Sequence, residues 1–288
     1  IAMARSLDGG VTWAQEGSVY DGSDDDRTFS YIDGTLSMMG DGTVVMIAMR
    51  SDRTDPHLPY VSETGGLLEN EPVLFFSNDP GRTWTAPLPI RLPQGFVATP
   101  TNPVIELEDG RWFASFDRWH GYHEPRPTGP YKNRMFGLFS DDRGRTWTDM
   151  VVMADGEPDG LDFWHGKTIR LTDDRLFTLY QAADMKNERN ERIFLPLHVA
   201  YADSDGRNWS KPEPTGIPGQ TNCPAELPNG DLCAVYSYRE SEQPGFMAVL
   251  SEDGGRTWDV DNAVRLWDAT GNTPIGISRH DTFPRSRE

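Results

Sequence analysis

The sequence predicts an all-β protein built from repeated four-stranded antiparallel units. Three observations indicate this fold class: an eight-residue motif that recurs along the 288 residues, a second recurring pattern typical of tight hairpins, and no long stretch with a helical apolar period. The 28 glycines and 22 prolines fit a chain with many turns. We expect residues 1–288 to form a single domain in which the same unit repeats.

The first repeat is an octet with serine, aspartate, glycine, threonine and tryptophan at positions one, three, five, seven and eight. Its copies are 6–13, 77–84, 140–147 and 251–258, with a degenerate copy at 202–209. The aspartate can accept hydrogen bonds from backbone N–H groups in a turn, the glycine supplies a positive φ, and the tryptophan packs between sheets. Because one active site does not need five copies, we interpret the octet as a structural clip.

The second repeat is an apolar stretch, a short polar turn and an alternating strand, which is typical of a β-hairpin. Its copies are 36–50, 103–118, 167–181 and 224–239. Hairpin and octet together define strands A to D of a propeller blade. Complete blades are predicted at 28–92, 97–153, 162–215 and 220–267, with partial blades at 1–20 and 276–288. We expect six blades in the complete protein, with five as the alternative, and a chain that is incomplete at its ends.

The net charge and the composition of the chain limit the classes of molecule that we expect it to bind. A formal net charge of -18 repels phosphate backbones, so we expect no nucleic-acid partner. No window holds 18 consecutive apolar residues, so we expect no insertion into a membrane. We expect no metal and no cofactor, because the sequence contains neither a zinc-ligand pattern nor a phosphate-binding glycine loop. The sequence assigns no compartment.

The octets resemble the Asp boxes, or BNR repeats, of the sialidase (neuraminidase) superfamily, and the resemblance covers nearly the whole chain. It implies a β-propeller and an exo-acting glycoside hydrolase with a glycan substrate. It also implies a Phe-Arg-Ile-Pro motif on an early A strand, whose arginine helps to bind the substrate carboxylate. In this chain Ile32 stands in the position of that arginine and Gly34 in the position of the proline. A tyrosine nucleophile and an aspartate acid/base on a B–C loop are implied as well, and Asp52 or Asp55 could match the latter.

The starts of A strands and the ends of B strands are expected on one face, beside a central channel. Arg50, Arg118 and Arg239 each lie eight or nine residues past the glycine of their hairpin turn, so three blades would point an arginine toward one mouth. Converging guanidinium groups can hold the carboxylate of a sialic or uronic acid. The alternative is that each arginine is solvated or paired with a neighbouring carboxylate.

Acid/base work on a glycosidic bond requires two carboxyl groups, or a tyrosine with a carboxylate. Asp33 and Asp117 flank the predicted channel, and His165 adds an imidazole. The catalytic candidates are Asp33, Asp52, Asp117, His165 and Tyr238. The tryptophans of the same face could stack on sugars, and the candidates for substrate binding are Arg50, Arg118, Arg239, Trp119, Asp162, Trp164 and Gln181. The long loop 51–70 is predicted to act as a specificity lid.

Two other functions fit the same scaffold. One is a non-catalytic propeller that binds a glycan or a protein on this face, and the other is a lyase or a neutral-sugar hydrolase. A complete acid/base pair at the channel mouth would favour an enzyme. A mouth lined by apolar groups or by arginines alone would favour a binding module.

Overall fold

The computed structural model describes residues 1–93, 96–125, 134–184, 193–238 and 244–269, and Arg239 lies outside these ranges. The described residues form nineteen strands and two single-turn 3₁₀ helices, Glu157–Asp159 and Val260–Asn262. No helix among them is long and apolar enough to cross a membrane.

The strands group into one two-stranded sheet and four larger antiparallel sheets, which we call the half blade and blades 1 to 4. The half blade contains β1 (Ala2–Arg5) and β2 (Ala14–Ser18). Blade 1 contains β3 (Phe29–Met38), β4 (Val44–Asp52), β5 (Asn70–Ser77) and β6 (Leu88–Pro89). Blade 2 contains β7 (Val97–Pro100), β8 (Ile105–Glu106), β9 (Trp112–Trp119), β10 (Arg134–Ser140) and β11 (Thr148–Asp155). Blade 3 contains β12 (Leu161–Arg170), β13 (Leu176–Asp184), β14 (Ile193–Ala202) and β15 (Glu213–Pro214), and blade 4 contains β16 (Asn222–Glu226), β17 (Leu232–Tyr238), β18 (Gly245–Ser251) and β19 (Val264–Asp268).

The predicted architecture of an all-β propeller with four-stranded antiparallel blades is confirmed. In blade 2 the first strand is interrupted, so β7 and β8 both pair with β9 and together occupy the position of strand A. The number of complete blades among the described residues is four and not six, because only four segments carry both a hairpin and a following strand pair.

Apolar clusters between neighbouring sheets hold the blades side by side. Ile47 and Leu74 of blade 1 pack with Phe116 and Phe136 of blade 2. A second cluster joins blades 2 and 3, and a third joins blades 3 and 4. Since each cluster is shared by two neighbouring sheets, the blades stack face to face in chain order, as in a propeller.

The octets form turns closed by their aspartates. Asp142 Oδ1 accepts the backbone N–H of Thr146 at 2.8 Å, and Asp142 Oδ2 accepts the Thr146 hydroxyl at 2.7 Å. The Ser140 hydroxyl donates to Asp142 Oδ1 at 2.9 Å. The bonds from Thr146 and Ser140 lower the pKa of Asp142 to about 2. Because the same bonds recur around Asp8, Asp79 and Asp253, the geometry agrees with a structural clip.

We expect Asp142→Ala to lower the melting temperature by several degrees, because it removes the acceptor for three hydrogen bonds in one turn. Asp141→Ala is the matched control, since this neighbouring aspartate is exposed. Thermal unfolding followed by circular dichroism measures both variants. Equal melting temperatures for the two would refute the clip.

Candidate functional site

The first strands of blades 1 and 3 carry matching β-bulges. The pairing of β3 with β4 shifts after Ile32, and the pairing of β12 with β13 shifts after Trp164. The next residue is Asp33 in one strand and His165 in the other, and a glycine follows each. Their φ angles are 58° and 47°, in the left-handed region that residues other than glycine rarely adopt. Because bulges and strained backbone cluster beside functional sites, these two positions centre the candidate site.

Asp117 of blade 2 supports the His165 bulge. Its Oδ2 atom accepts the backbone N–H of His165 at 2.8 Å, and the imidazole Nε2 atom lies 3.9 Å from the same oxygen. The side chain of Asp117 is 0% exposed, whereas that of His165 is 42% exposed. The imidazole therefore faces solvent, and the carboxyl group lies behind it.

The environment of Asp117 favours its protonated form. The pKa of Asp117 is raised to about 7, chiefly by burial and with a smaller contribution from the charge of Asp162, against the opposing effects of the His165 N–H and the Lys167 ammonium. Its Oδ1 atom has no hydrogen-bond partner among the described residues. A carboxyl group with a pKa near neutral pH is typical of a functional site.

Asp33 is exposed, yet enough protein surrounds its carboxyl group for desolvation to raise its pKa, with the charge of Lys167 opposing the shift. Tyr60, from the loop between β4 and β5, lies within electrostatic reach of Asp33. Burial raises the pKa of Tyr60 to about 12, so this phenol is not activated as a nucleophile.

Lys167 connects these carboxyl groups electrostatically. Its ammonium donates to the backbone carbonyl of Thr101 in blade 2. Burial lowers the pKa of Lys167, while the charges of Asp117, Cys223 and Asp33 oppose that shift. The sequence analysis missed both Lys167 and Tyr60. Lys167 lies two residues after His165 on the same strand, and this closeness in sequence was the available signal for it.

Two of the three predicted arginines, Arg50 and Arg118, lie in the part of the chain that the structure describes, and both contact neighbouring side chains. Arg50 donates to Glu71 at 2.9 Å, lies 3.8 Å from an oxygen of Asp25 and stacks on a phenylalanine ring. The guanidinium of Arg118 lies 4.2 Å from the centroid of the Phe96 ring. The contacts of Arg50 match the alternative of internal pairing, and the carboxylate clamp stays a prediction.

Asp52 lies away from the bulges, in an open groove of about 640 Å³ that also borders Arg27, Arg50 and Glu71. Hydrogen bonds from Thr54 and from Arg27, the latter at 2.8 Å, lower the pKa of Asp52 to about 2. Such a carboxylate remains ionised at ordinary pH and is poorly suited to donate a proton.

The remaining candidates are mainly packing groups in this structure. Trp164 is 4% exposed and packs on Phe194, so little of its ring is free for a sugar. Trp119 is half-buried and donates to the Thr99 hydroxyl at 3.2 Å. The other three are the buried Asp162, the buried Gln181, and the half-buried Tyr238, which lies against Tyr236.

The loop between β4 and β5 is fixed to blade 2. The backbone N–H of Leu67 donates to the carbonyl of His120 at 3.1 Å, and the hydroxyl of Thr64 donates to the carbonyl of Glu124 at 3.0 Å. The loop therefore forms a wall beside the mouth, and its role as a lid stays a prediction. In the part of the chain that the structure describes, no group of three or more His, Cys, Asp or Glu side chains could hold a metal ion.

We expect Asp117→Asn to flatten the dependence of stability on pH. Between about pH 4 and pH 7 the folded protein retains a proton on Asp117 that the unfolded chain has released, so the free energy of unfolding falls as pH rises through this window. Across it the variant should gain on the order of a few kcal/mol relative to the wild type. Urea unfolding at several pH values tests this, with the exposed Glu108→Gln as control. Parallel curves for Asp117→Asn and the wild type would contradict the buried-carboxyl assignment.

Comparisons with known proteins agree with this fold. The family model of the BNR repeat-like domain matches residues 1–259. An anhydrosialidase from Macrobdella decora is 26% identical over 153 residues, which cover 44% of this chain and 18% of that relative. The chain thus spans less than a fifth of the length of this curated relative.

Two solved structures are similar at low identity. A protein of unknown function from Dyadobacter fermentans has a TM-score of 0.67 and 19% identity, over 91% of this chain and 70% of the other. The intramolecular trans-sialidase from Ruminococcus gnavus has a TM-score of 0.58 and 14% identity, over 86% and 73% of the two chains. At such identities these structures show the fold alone. With most of its length matched by the family model and its Asp-box turns in place, the chain belongs to the BNR repeat-like family of the sialidase propeller superfamily.

Proposed function

We propose that this protein is a sialidase-like glycoside hydrolase whose acid/base pair is Asp33 and His165. The observation that carries the proposal is the pair of matching bulges, which present an aspartate and a histidine from blades 1 and 3 in a strained backbone conformation. Such strain persists only where the surroundings maintain it, and it is a recurring feature of active sites.

The two side chains suit complementary tasks. Hydrolysis of a glycosidic bond needs an acid that protonates the leaving oxygen and a base that activates the nucleophile. Desolvation raises the pKa of Asp33, so this carboxyl group keeps its proton to a higher pH than an ordinary aspartate and fits the acid. The exposed imidazole of His165 fits the base, and the buried Asp117 carboxyl group behind it holds its backbone in place by accepting the His165 N–H.

We expect a substrate sugar that carries a carboxylate. Lys167 supports this proposal, because it is a cation within electrostatic reach of both Asp33 and Asp117. An ammonium group binds a carboxylate as a point charge and without the bidentate geometry of arginine. Lys167 would thus take the binding role that the sequence analysis expected of Arg50, Arg118 and Arg239.

A second candidate is a lyase that acts on a uronic acid. In such a reaction a base removes the proton next to the carboxylate, and a cation stabilises the charge that develops there. His165 and Lys167 would supply these two groups. The raised pKa of Tyr60 favours this candidate over a mechanism with a tyrosine nucleophile, because an activated tyrosine would show a lowered pKa.

A panel of substrates separates these functions. It contains a fluorogenic sialoside, fluorogenic uronides and neutral glycosides, and a uronic-acid polysaccharide whose cleavage by a lyase produces an ultraviolet-absorbing unsaturated sugar. Release of fluorophore supports the hydrolase, and the unsaturated product supports the lyase. A folded protein that binds one of these glycans without converting it would be a binding module instead.

On the substrate that is converted, we expect Asp33→Asn and His165→Gln each to lower kcat by about 10²- to 10⁴-fold, the usual contribution of an acid or a base. Asp141→Asn should leave kcat unchanged, because Asp141 lies in the turn between β10 and β11 and far along the blade from its innermost strand. Full activity in both site variants would disprove the assignment of the pair.

A further inference from the structure

We infer that Asn102 of blade 2 is the positioning residue that directs the His165 imidazole into the channel mouth. The inference rests on the proposed function of His165, although its structural part can be tested without any substrate. Asn102 lies in the break between β7 and β8 and is 1% exposed. It therefore does not contact solvent and would act through the strand that it binds.

The amide of Asn102 bonds the backbone on the far side of the His165 bulge. Its Nδ2 group donates to the carbonyl of Gly166 and, at 2.7 Å, to the hydroxyl of Ser115. Its Oδ1 atom accepts the backbone N–H of Thr168 at 2.7 Å. One side chain thus binds both a carbonyl and an N–H group of strand β12.

These bonds reach Gly166, inside the interrupted part of the ladder, and Thr168, where the pairing with β13 has resumed. A bulge disrupts the local ladder, and buried backbone groups that lose a strand partner must find another one. Asp117 accepts the N–H of His165, and Asn102 binds Gly166 and Thr168. Blade 2 therefore holds the bulge of blade 3 immediately before and immediately after the histidine.

Packing leaves the bulge little room to relax. A Cβ atom added at Gly166 would lie 2.8 Å from the Tyr180 ring and 2.9 Å from the Met135 methyl group. Without the Asn102 amide, the carbonyl of Gly166 would keep the bond from the Thr101 hydroxyl at 3.2 Å but lose its shorter, buried bond in this tight space. We expect the backbone at His165 to leave its left-handed conformation in response, and the imidazole to move with it.

The charges around His165 make such a movement measurable. Asp117 lies behind the imidazole on β9, and Lys167 lies on β12, two residues after His165. Asp33 lies at the bulge of β3 in blade 1, and Asp162 is buried on β12. A displaced imidazole changes its distance from the Asp117 carboxyl group, so its protonation equilibrium must change.

Blade 4 offers a matched control. Asn222 begins strand β16, is 3% exposed and donates from Nδ2 to the Leu179 carbonyl of blade 3 at 3.3 Å. It is thus a second buried asparagine that joins two blades, but its bond goes to β13 and not to the His165 bulge of β12. Asn222→Ala therefore measures how much stability is lost when a buried hydrogen bond between two blades is removed.

The test is nuclear magnetic resonance titration of histidine-labelled protein. The chain has six histidines, and His165→Gln assigns the resonance of interest. We expect Asn102→Ala to shift the His165 titration midpoint by several tenths of a pH unit or to split the resonance, while Asn222→Ala leaves it in place. Asn102→Leu keeps a similar side-chain volume without adding a charge but lacks both the donor for Gly166 and the acceptor for Thr168, so it should produce the same kind of shift in a protein that folds.

Kinetics on the converted substrate provide the second readout. We expect Asn102→Ala to lower kcat by about 10- to 100-fold with little change in KM, because a base that is out of position slows the chemical step. The pH profile of kcat should shift as well. An unchanged His165 titration in both Asn102 variants, with a loss of melting temperature equal to that of Asn222→Ala, would overturn the inference. If the wild type converts no glycan, the proposed function fails, and the titration alone still decides the role of Asn102.

Discussion

The burial of apolar side chains between adjacent sheets is the interaction on which the rest of this structure depends. No blade can cover both of its faces alone, and side chains such as Phe75, Phe113, Phe136 and Phe177 are fully buried only because neighbouring strands lie against them. Each such ring contributes about 1.5–3 kcal/mol by leaving water. This stacking brings side chains of one blade against the first strand of the next, as for Asp117 and His165.

The same exclusion of water shifts the pKa values of the acidic groups at the candidate site. Asp117 and Asp162 are 0% exposed, so the ionised form of Asp117 is disfavoured and its proton is held to near-neutral pH. Asp33 is in a less enclosed position and is shifted in the same direction. Lys167 opposes the shifts of both aspartates, and their charges in turn offset part of the cost of burying its ammonium group.

The β-bulges of blades 1 and 3 mark the candidate functional site in a fold that is otherwise organised by packing between sheets. A regular innermost strand would alternate its side chains between two blade interfaces, whereas the bulges at Asp33 and His165 interrupt that alternation. The interruption leaves backbone groups to be satisfied across the blade junction, as Asp117 and Asn102 do for blade 3. The packing between blades therefore also determines where the candidate side chains lie.

The sequence by itself determined the strands and turns of the blades, because the octets and hairpins are local patterns that predict a turn and the pair of strands around it. It also predicted that Asp33, Asp117 and His165 lie on one face, since topology sends the starts of A strands and the ends of B strands to the same side. Only the tertiary structure decided which groups meet there. The contacts of His165 with Asp117, of Asn102 with Gly166 and of Lys167 with Thr101 join residues 48 to 66 positions apart. Such pairs depend on how neighbouring sheets stack, and no local pattern encodes that register.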